Sequence, residues 1–151
     1  FARPGTYRLW LEAAENTQSR HHAEDATLIA YANVMVTGED VPVAALCAGE
    51  VAVSSTAEGY GGLIVQHCTF QGAPITVLYG HLSTASLPDP GTMLEQGQQF
   101  AVLAEANSAD SGFNRKHLHM GVHRGEEIKF LGYVQEPEEL REFIDPLKIL
   151  R

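Results

Sequence analysis

The stretch RKHLHMGVHR, residues 115–124, decides the fold. It carries histidines at 117, 119 and 123, the first two separated by a single leucine. A histidine at every second position does not follow the 3.6-residue period of a helix. In a strand, successive side chains alternate between faces, so His117, His119, Gly121 and His123 share one side. Leu118, Met120 and Val122 share the other, which reads as core. The histidine side reads as a polar site with a clearing at Gly121.

Such a strand needs neighbours, and the sequence supplies them. GLIVQH (62–67) follows EGYGG, ITVLYGHLS (75–83) follows QGAP, and FAVLAEA (100–106) follows GTMLEQGQQ. VPVAAL (41–46) and EVAVSS (50–55) flank CAG and read as a tight hairpin with Gly49 near its turn. A further strand is expected within TLIAYANVMV (27–36), rich in apolar and β-branched residues. Apolar runs at intervals of about 12 residues, without a long helical pattern between them, predict an antiparallel β fold. The expected class is therefore mainly β, an antiparallel sheet or sandwich forming a single domain over residues 1–151. One short helix is expected over 137–143. Pro137 suits a first helical position, Glu138 and Glu139 complement the helix dipole, and Pro146 stops the element. Residues 1–20 are ambiguous, since YRLWLEA fits strand or helix.

Composition narrows the function. The formal net charge of −9 comes with only three lysines, Lys116, Lys129 and Lys148, and no basic cluster. Nucleic acid is a poor partner, because phosphate neutralisation needs a dense positive patch. No apolar run approaches the roughly 20 residues of a membrane-spanning helix. No signal peptide is visible. Cys47 and Cys68 lack Cys-x-x-Cys spacing, so a thiolate metal site is not supported. They form either one disulfide, closing a loop of about 20 residues and worth about 3 kcal/mol, or two buried thiols; the sequence leaves both open.

Seven histidines make metal chemistry the leading question. A catalytic zinc ion takes three protein ligands and keeps a fourth position for water. The histidine strand therefore needs partners elsewhere. RHHAEDA (20–26) offers His21 and Asp25, four apart, with His22 and Asp25 as a competing pair. YGHLS (79–83) offers His81 just past an apolar run. His67, at a strand end, reads as a structural hydrogen-bonder, and His22 and His123 as residues behind the site or on the surface. GYGG (59–62) lacks the Lys-Ser/Thr of a phosphate loop and reads as a tight turn.

The order His21-x-x-x-Asp25, then YGHLS with His81, then His117-Leu118-His119 resembles the lysostaphin-type zinc murein endopeptidases. The connecting text resembles them too, in VPVAALCAGEVAVSS, GYGGLIVQH and PGTMLEQGQQFAVLAE, and the likeness spans about residues 19–125. The resemblance implies the lysostaphin-type, duplicated-hybrid-motif-like fold. It implies that His21, Asp25 and His119 hold one Zn2+ per chain, that His117 is the general base and that His81 is a second catalytic imidazole. It further implies a peptidoglycan peptide substrate and a cell-envelope location, periplasmic or extracellular. The sequence departs from the family at Ala23 (often Gly), at Lys116 before His-x-His (often Pro), at MGV after it, and in a less glycine-rich ANSADSGFNR (106–115).

Two rivals remain. A non-catalytic member of the same fold would bind wall peptides or regulate another hydrolase, and would be free to lose the five polar residues present here. A lipoyl/biotinyl-like carrier domain needs a modifiable lysine at a hairpin tip, and the tip LCAGE has none.

Overall fold

The apolar runs of the central stretches carry directly into strands. The structure, a computed structural model, describes residues 8–10, 28–29, 32–35, 39–130, 133–134 and 137–149. Its strands are β1 (Arg8–Trp10), β2 (Leu28–Ile29), β3 (Ala32–Met35), β4 (Pro42–Ala44), β5 (Gly49–Ala57) and β6 (Gly61–Phe70). They continue with β7 (Ala73–Leu82), β8 (Met93–Leu94), β9 (Gln99–Val102), β10 (His117–Arg124) and β11 (Tyr133–Val134). Seven of them form one sheet in the order β1-β3-β10-β7-β6-β5-β8, with two-stranded sheets β11-β2 and β4-β9 beside it. Every pairing is antiparallel. The fold is mainly β, as the sequence predicts.

One face of the large sheet is core. Ile75, Val77 and Tyr79 of β7 alternate inward and meet Ile64 and Cys68 of β6, Val51 of β5 and Met120 and Val122 of β10. Val43, Leu46, Leu94, Ala101, Leu103 and Ile144 close over them. A buried polar network pins the turn after β4. The Leu46 amide donates to the Tyr79 hydroxyl at 2.9 Å. That hydroxyl donates to Gln66 Oε1 at 3.0 Å, and Gln66 Nε2 donates to the Cys47 carbonyl at 2.9 Å. A Cys47–Cys68 disulfide ties the same turn to β6, resolving the two alternatives the sequence leaves open.

This network accounts for one departure from expectation. VPV does not pair with EVAVSS as a hairpin; β4 pairs with β9 instead, Val43 opposite Ala101. The Ala45 amide donates to the Gln98 carbonyl at 2.9 Å and the Gly97 amide to the Ala45 carbonyl at 2.8 Å. Long-range bonds thus override the local turn signal of CAG. Strand β5 pairs with β6 through the GYGG turn, which is the tight turn expected. The expected C-terminal helix is a 3-10 helix, Pro137–Glu142, and a second one, Pro146–Lys148, follows the proline that ends it. The intervening chain docks on β10: the Ile144 amide donates to the Val122 carbonyl at 2.9 Å.

Candidate active site

The other face of the sheet holds the imidazoles. Strand β10 lies between β3 and β7, with His119 opposite Gly80 on one side and Asn33 on the other. His117 and His119, two residues apart, project from the same face as the alternation requires.

His81 reaches that face by breaking the alternation. In a regular strand it would point into the core with Ile75, Val77 and Tyr79. Instead β7 takes three steps from Tyr79 to Leu82 where β6 takes two from Gly62 to Ile64. This is a β-bulge, a device that re-aims side chains beside functional sites. His81 itself has φ 60, in the left-handed region. Flanking bonds hold it there: its amide donates to the Tyr60 carbonyl at 2.6 Å, and its carbonyl accepts from the Ala104 amide at 2.9 Å. Leu82 then turns into the core and the imidazole of His81 joins the site.

The result is a cluster of three rings from two adjacent strands. The centroid of His81 lies 4.3 Å from that of His117 and 5.8 Å from that of His119. Tyr60 closes one side, its ring edge-on to His119 at 4.8 Å. Burial pushes the His119 imidazole down to about 3, with His81 and His117 adding to the effect. His119 is therefore neutral at any physiological pH, the form that ligates metals. Burial and the neighbouring His117 likewise hold His81 below the ordinary histidine range, against a hydrogen bond to Asp110 that opposes them.

Backbone carbonyls fix the tautomers. His117 Nδ1 is 2.6 Å from the Arg115 carbonyl and His81 Nδ1 is 3.2 Å from the Asp110 carbonyl. A carbonyl only accepts, so each Nδ1 carries the hydrogen and each Nε2 of the neutral ring carries a lone pair. The loop supplying those carbonyls, residues 105–116, is itself seated closely. A Cβ at Gly61 would lie 1.9 Å from the Asp110 oxygen, so only glycine admits this approach. The Thr84 amide donates to Asp110 Oδ2 at 3.0 Å, and buried Lys116 pairs with Glu105 at 2.8 Å.

The segment 125–130 crosses the same face of the sheet. Thr76 Oγ1 donates to the Gly125 carbonyl at 2.9 Å, His67 Nε2 to the Glu126 carbonyl at 3.1 Å, and the Tyr60 hydroxyl to the Phe130 carbonyl. His67 is thus the structural hydrogen-bonder expected. His123 is not a surface residue: it is 2% exposed and packs on Phe143 at 4.1 Å between ring centroids. Of the five site residues named from the sequence, His81, His117 and His119 come together. His21 and Asp25, with His22, lie outside the described residues. Among the described residues, no group of three or more His, Cys, Asp or Glu side chains is placed to hold a metal ion. Sequence reading missed Tyr60, treated there only as part of a turn. The available signal was its place between glycines, aromatic where a turn needs none.

The family model described as peptidase family M23 matches residues 29–130, more than half of the chain and inclusive of all three clustered imidazoles. The chain belongs to peptidase family M23. None of the curated proteins compared matches it. Solved M23 structures are similar in fold. The catalytic domain of the antimicrobial peptidase lysostaphin from Staphylococcus simulans matches with a TM-score of 0.67 at 16% identity, covering 95% of this chain and 92% of that one. The catalytic domain of the prophage-encoded M23 protein EnpA from Enterococcus faecalis, as its A109H mutant, gives 0.59 at 12% identity, covering 89% and 92%. LytU gives 0.58 at 16% identity, covering 87% and 84%. At these identities the likeness establishes the fold. No helix among the described residues is long and apolar enough to cross a membrane.

Proposed function

We propose that this M23 member is a zinc-dependent endopeptidase that hydrolyses peptide bonds of peptidoglycan cross-links in the cell envelope, with residues 1–151 forming one catalytic domain. The observation that carries the reading is the convergence of His117 and His119 with His81, which a bulge re-aims onto their sheet face, beside Tyr60.

The residues present fit a catalytic zinc site. His119 is half-buried and held neutral. Its partners in the ligand set are His21 and Asp25, completing the three protein ligands usual for such an ion. When bound, zinc supplies Lewis-acid polarisation of a carbonyl and a water acidified to near neutrality. His117 does the proton work. Its Nδ1–H is committed to the Arg115 carbonyl, so its Nε2 lone pair is free to take a proton and later to release it to the leaving amine. His81 has the same tautomer. It would donate to a developing oxyanion from its other neutral tautomer, with the hydrogen moved from Nδ1 to Nε2. Two cationic imidazoles 4.3 Å apart repel, so one of the pair is charged at a time. The proton that His117 takes therefore goes on to the leaving amine, and His81 stays neutral while His117 carries it.

The test is hydrolysis of purified sacculi by the zinc-loaded protein, with new chain ends identified by mass spectrometry. The reading expects new peptide ends, and a drop of about 10²- to 10⁴-fold for His117→Ala. Tight binding to sacculi without new ends would instead favour the non-catalytic, wall-binding alternative.

A further inference from the structure

We infer that the rim of this site selects peptides bearing an apolar side chain next to the cleaved bond, and that Phe113 sets the preference. The inference deepens the peptidase reading and rests on it for the location of the cleaved bond.

Phe113 is the most exposed large apolar residue among those described, at 74%. Its backbone has φ 60. A bulky residue in the left-handed region is a genuine outlier, since its side chain gains no local hydrogen bond in return. Looseness does not explain it, because the loop is densely bonded. The Phe113 amide donates to the Ser108 carbonyl at 2.8 Å, and the Asn107 amide to the Asn114 carbonyl at 2.8 Å. Fully buried Ser111 donates from Oγ toward the Ser108 and Asn114 carbonyls at 3.0 and 3.1 Å. A strained backbone and an exposed ring on a pinned loop are the marks of a functional position.

The loop also touches the imidazoles. A Cβ at Gly112 would lie 3.5 Å from His81 Cε1, so Phe113 immediately follows the point of contact. The segment 125–130 also borders the cluster, and its Phe130 and Ile128 are 44% and 39% exposed. The Phe130 carbonyl accepts the Tyr60 hydroxyl, and Tyr60 abuts His119. Three of the four exposed large apolar residues described therefore lie on the two segments that flank the histidine cluster. The fourth, Met93, is on β8 at the edge of the sheet.

Rings so placed offer burial of apolar surface, the main attraction of peptide sites. An oligoglycine chain brings no side chain to bury against them. A peptide with an alkyl side chain beside the scissile bond does.

Two peptides of equal length test this: an oligoglycine, and the same chain with leucine or alanine on each side of the central bond. Affinity is measured by calorimetry on the zinc-loaded protein, and kcat/KM by mass spectrometry. The wild type should favour the side-chain peptide about 10-fold, the scale of a few methylenes in an apolar pocket. Phe113→Ala should bring the ratio close to one, and Phe113→Leu should restore most of it. Phe113→Gly, which suits the left-handed backbone, should lose the discrimination without lowering Tm, separating recognition from folding. Equal affinity for both peptides, binding of neither, or an unchanged ratio in Phe113→Ala overturns the inference. Discrimination in binding, with no cleavage of either peptide and no new ends from sacculi, upholds apolar selection by the rim and overturns the hydrolase reading; cleavage without discrimination does the reverse.

Discussion

Gly80→Ala is the smallest change that should disturb the site. Gly80 lies opposite His119. A Cβ there would sit 2.7 Å from Tyr60 Cδ1 and 3.4 Å from His119 Cβ. Carbon atoms prefer separations of about 3.5–4.0 Å, so roughly 1 Å of overlap must be relieved. Tyr60 cannot simply swing aside. Its amide donates to the Ala57 carbonyl at 3.0 Å, its carbonyl accepts from His81, and its hydroxyl is held by the Phe130 carbonyl. Either the ring leaves His119 and breaks the hydroxyl bond, or β10 parts from β7 at the His119–Gly80 pair. Overpacking of this kind costs about 1–3 kcal/mol. At about 2–4 °C per kcal/mol for a chain of this size, Tm should fall by about 2–12 °C. A displacement of about 1 Å at the reacting groups should lower kcat/KM by about 10²-fold. Thermal unfolding followed by circular dichroism and kcat/KM on a defined peptide measure both effects. The double variant Gly80→Ala/Tyr60→Ala should be less impaired than the two singles summed, because the clash is gone. Wild-type Tm and kcat/KM in Gly80→Ala would refute the reasoning.

Other consequences follow from the scaffold. Replacing both Cys47 and Cys68 by alanine removes a link between residues 21 apart. Unfolding free energy should fall by about 3 kcal/mol in urea titrations, while zinc content per folded molecule is retained. His123 should make stability pH-dependent. Burial holds its pKa below the ordinary value, Lys129 adds to this, and Glu142 and Glu127 oppose it. In the unfolded chain it titrates near 6.5. Below that pH the unfolded state binds the extra proton and the folded state does not. The contribution is therefore complete above about pH 6.5 and is lost as pH falls toward the folded value, by at most about 1.4 kcal/mol per unit. Urea titrations at pH 7.5 and 5.5 should show a steeper acid loss for wild type than for His123→Leu; identical slopes would contradict this.

Much of the fold and part of the site were legible in the sequence. Strands β6 and β7 announce themselves as short apolar runs between glycine-rich turns, and the period-two alternation of β10 placed His117 and His119 side by side. The position of His81 was legible, but its direction was not. Strict alternation would have aimed it into the core, and the bulge that turns it depends on pairing with β6, which no local pattern records. The pairing of β4 failed for a related reason. CAG with Gly49 is a fair local turn signal, yet the Tyr79–Gln66 network and the bonds to residues 97 and 98 hold that segment elsewhere. His123 shares the histidine face in sequence. In the fold the C-terminal chain covers it with Phe143, a contact set by residues 20 positions later. Tyr60 escaped notice because turn chemistry explained its glycine neighbours and left its ring unconsidered.

The central claim is that imidazoles and a carboxylate from distant segments meet on one divalent cation, with His119 holding it and His117 working beside it. Metal content of purified protein tests this most directly, measured by atomic absorption after equilibration with zinc and removal of excess. The account predicts about one zinc per chain in the wild type, as usual for such sites, the same in His117→Ala, and loss of the metal in His119→Ala. Full zinc occupancy in His119→Ala would contradict it.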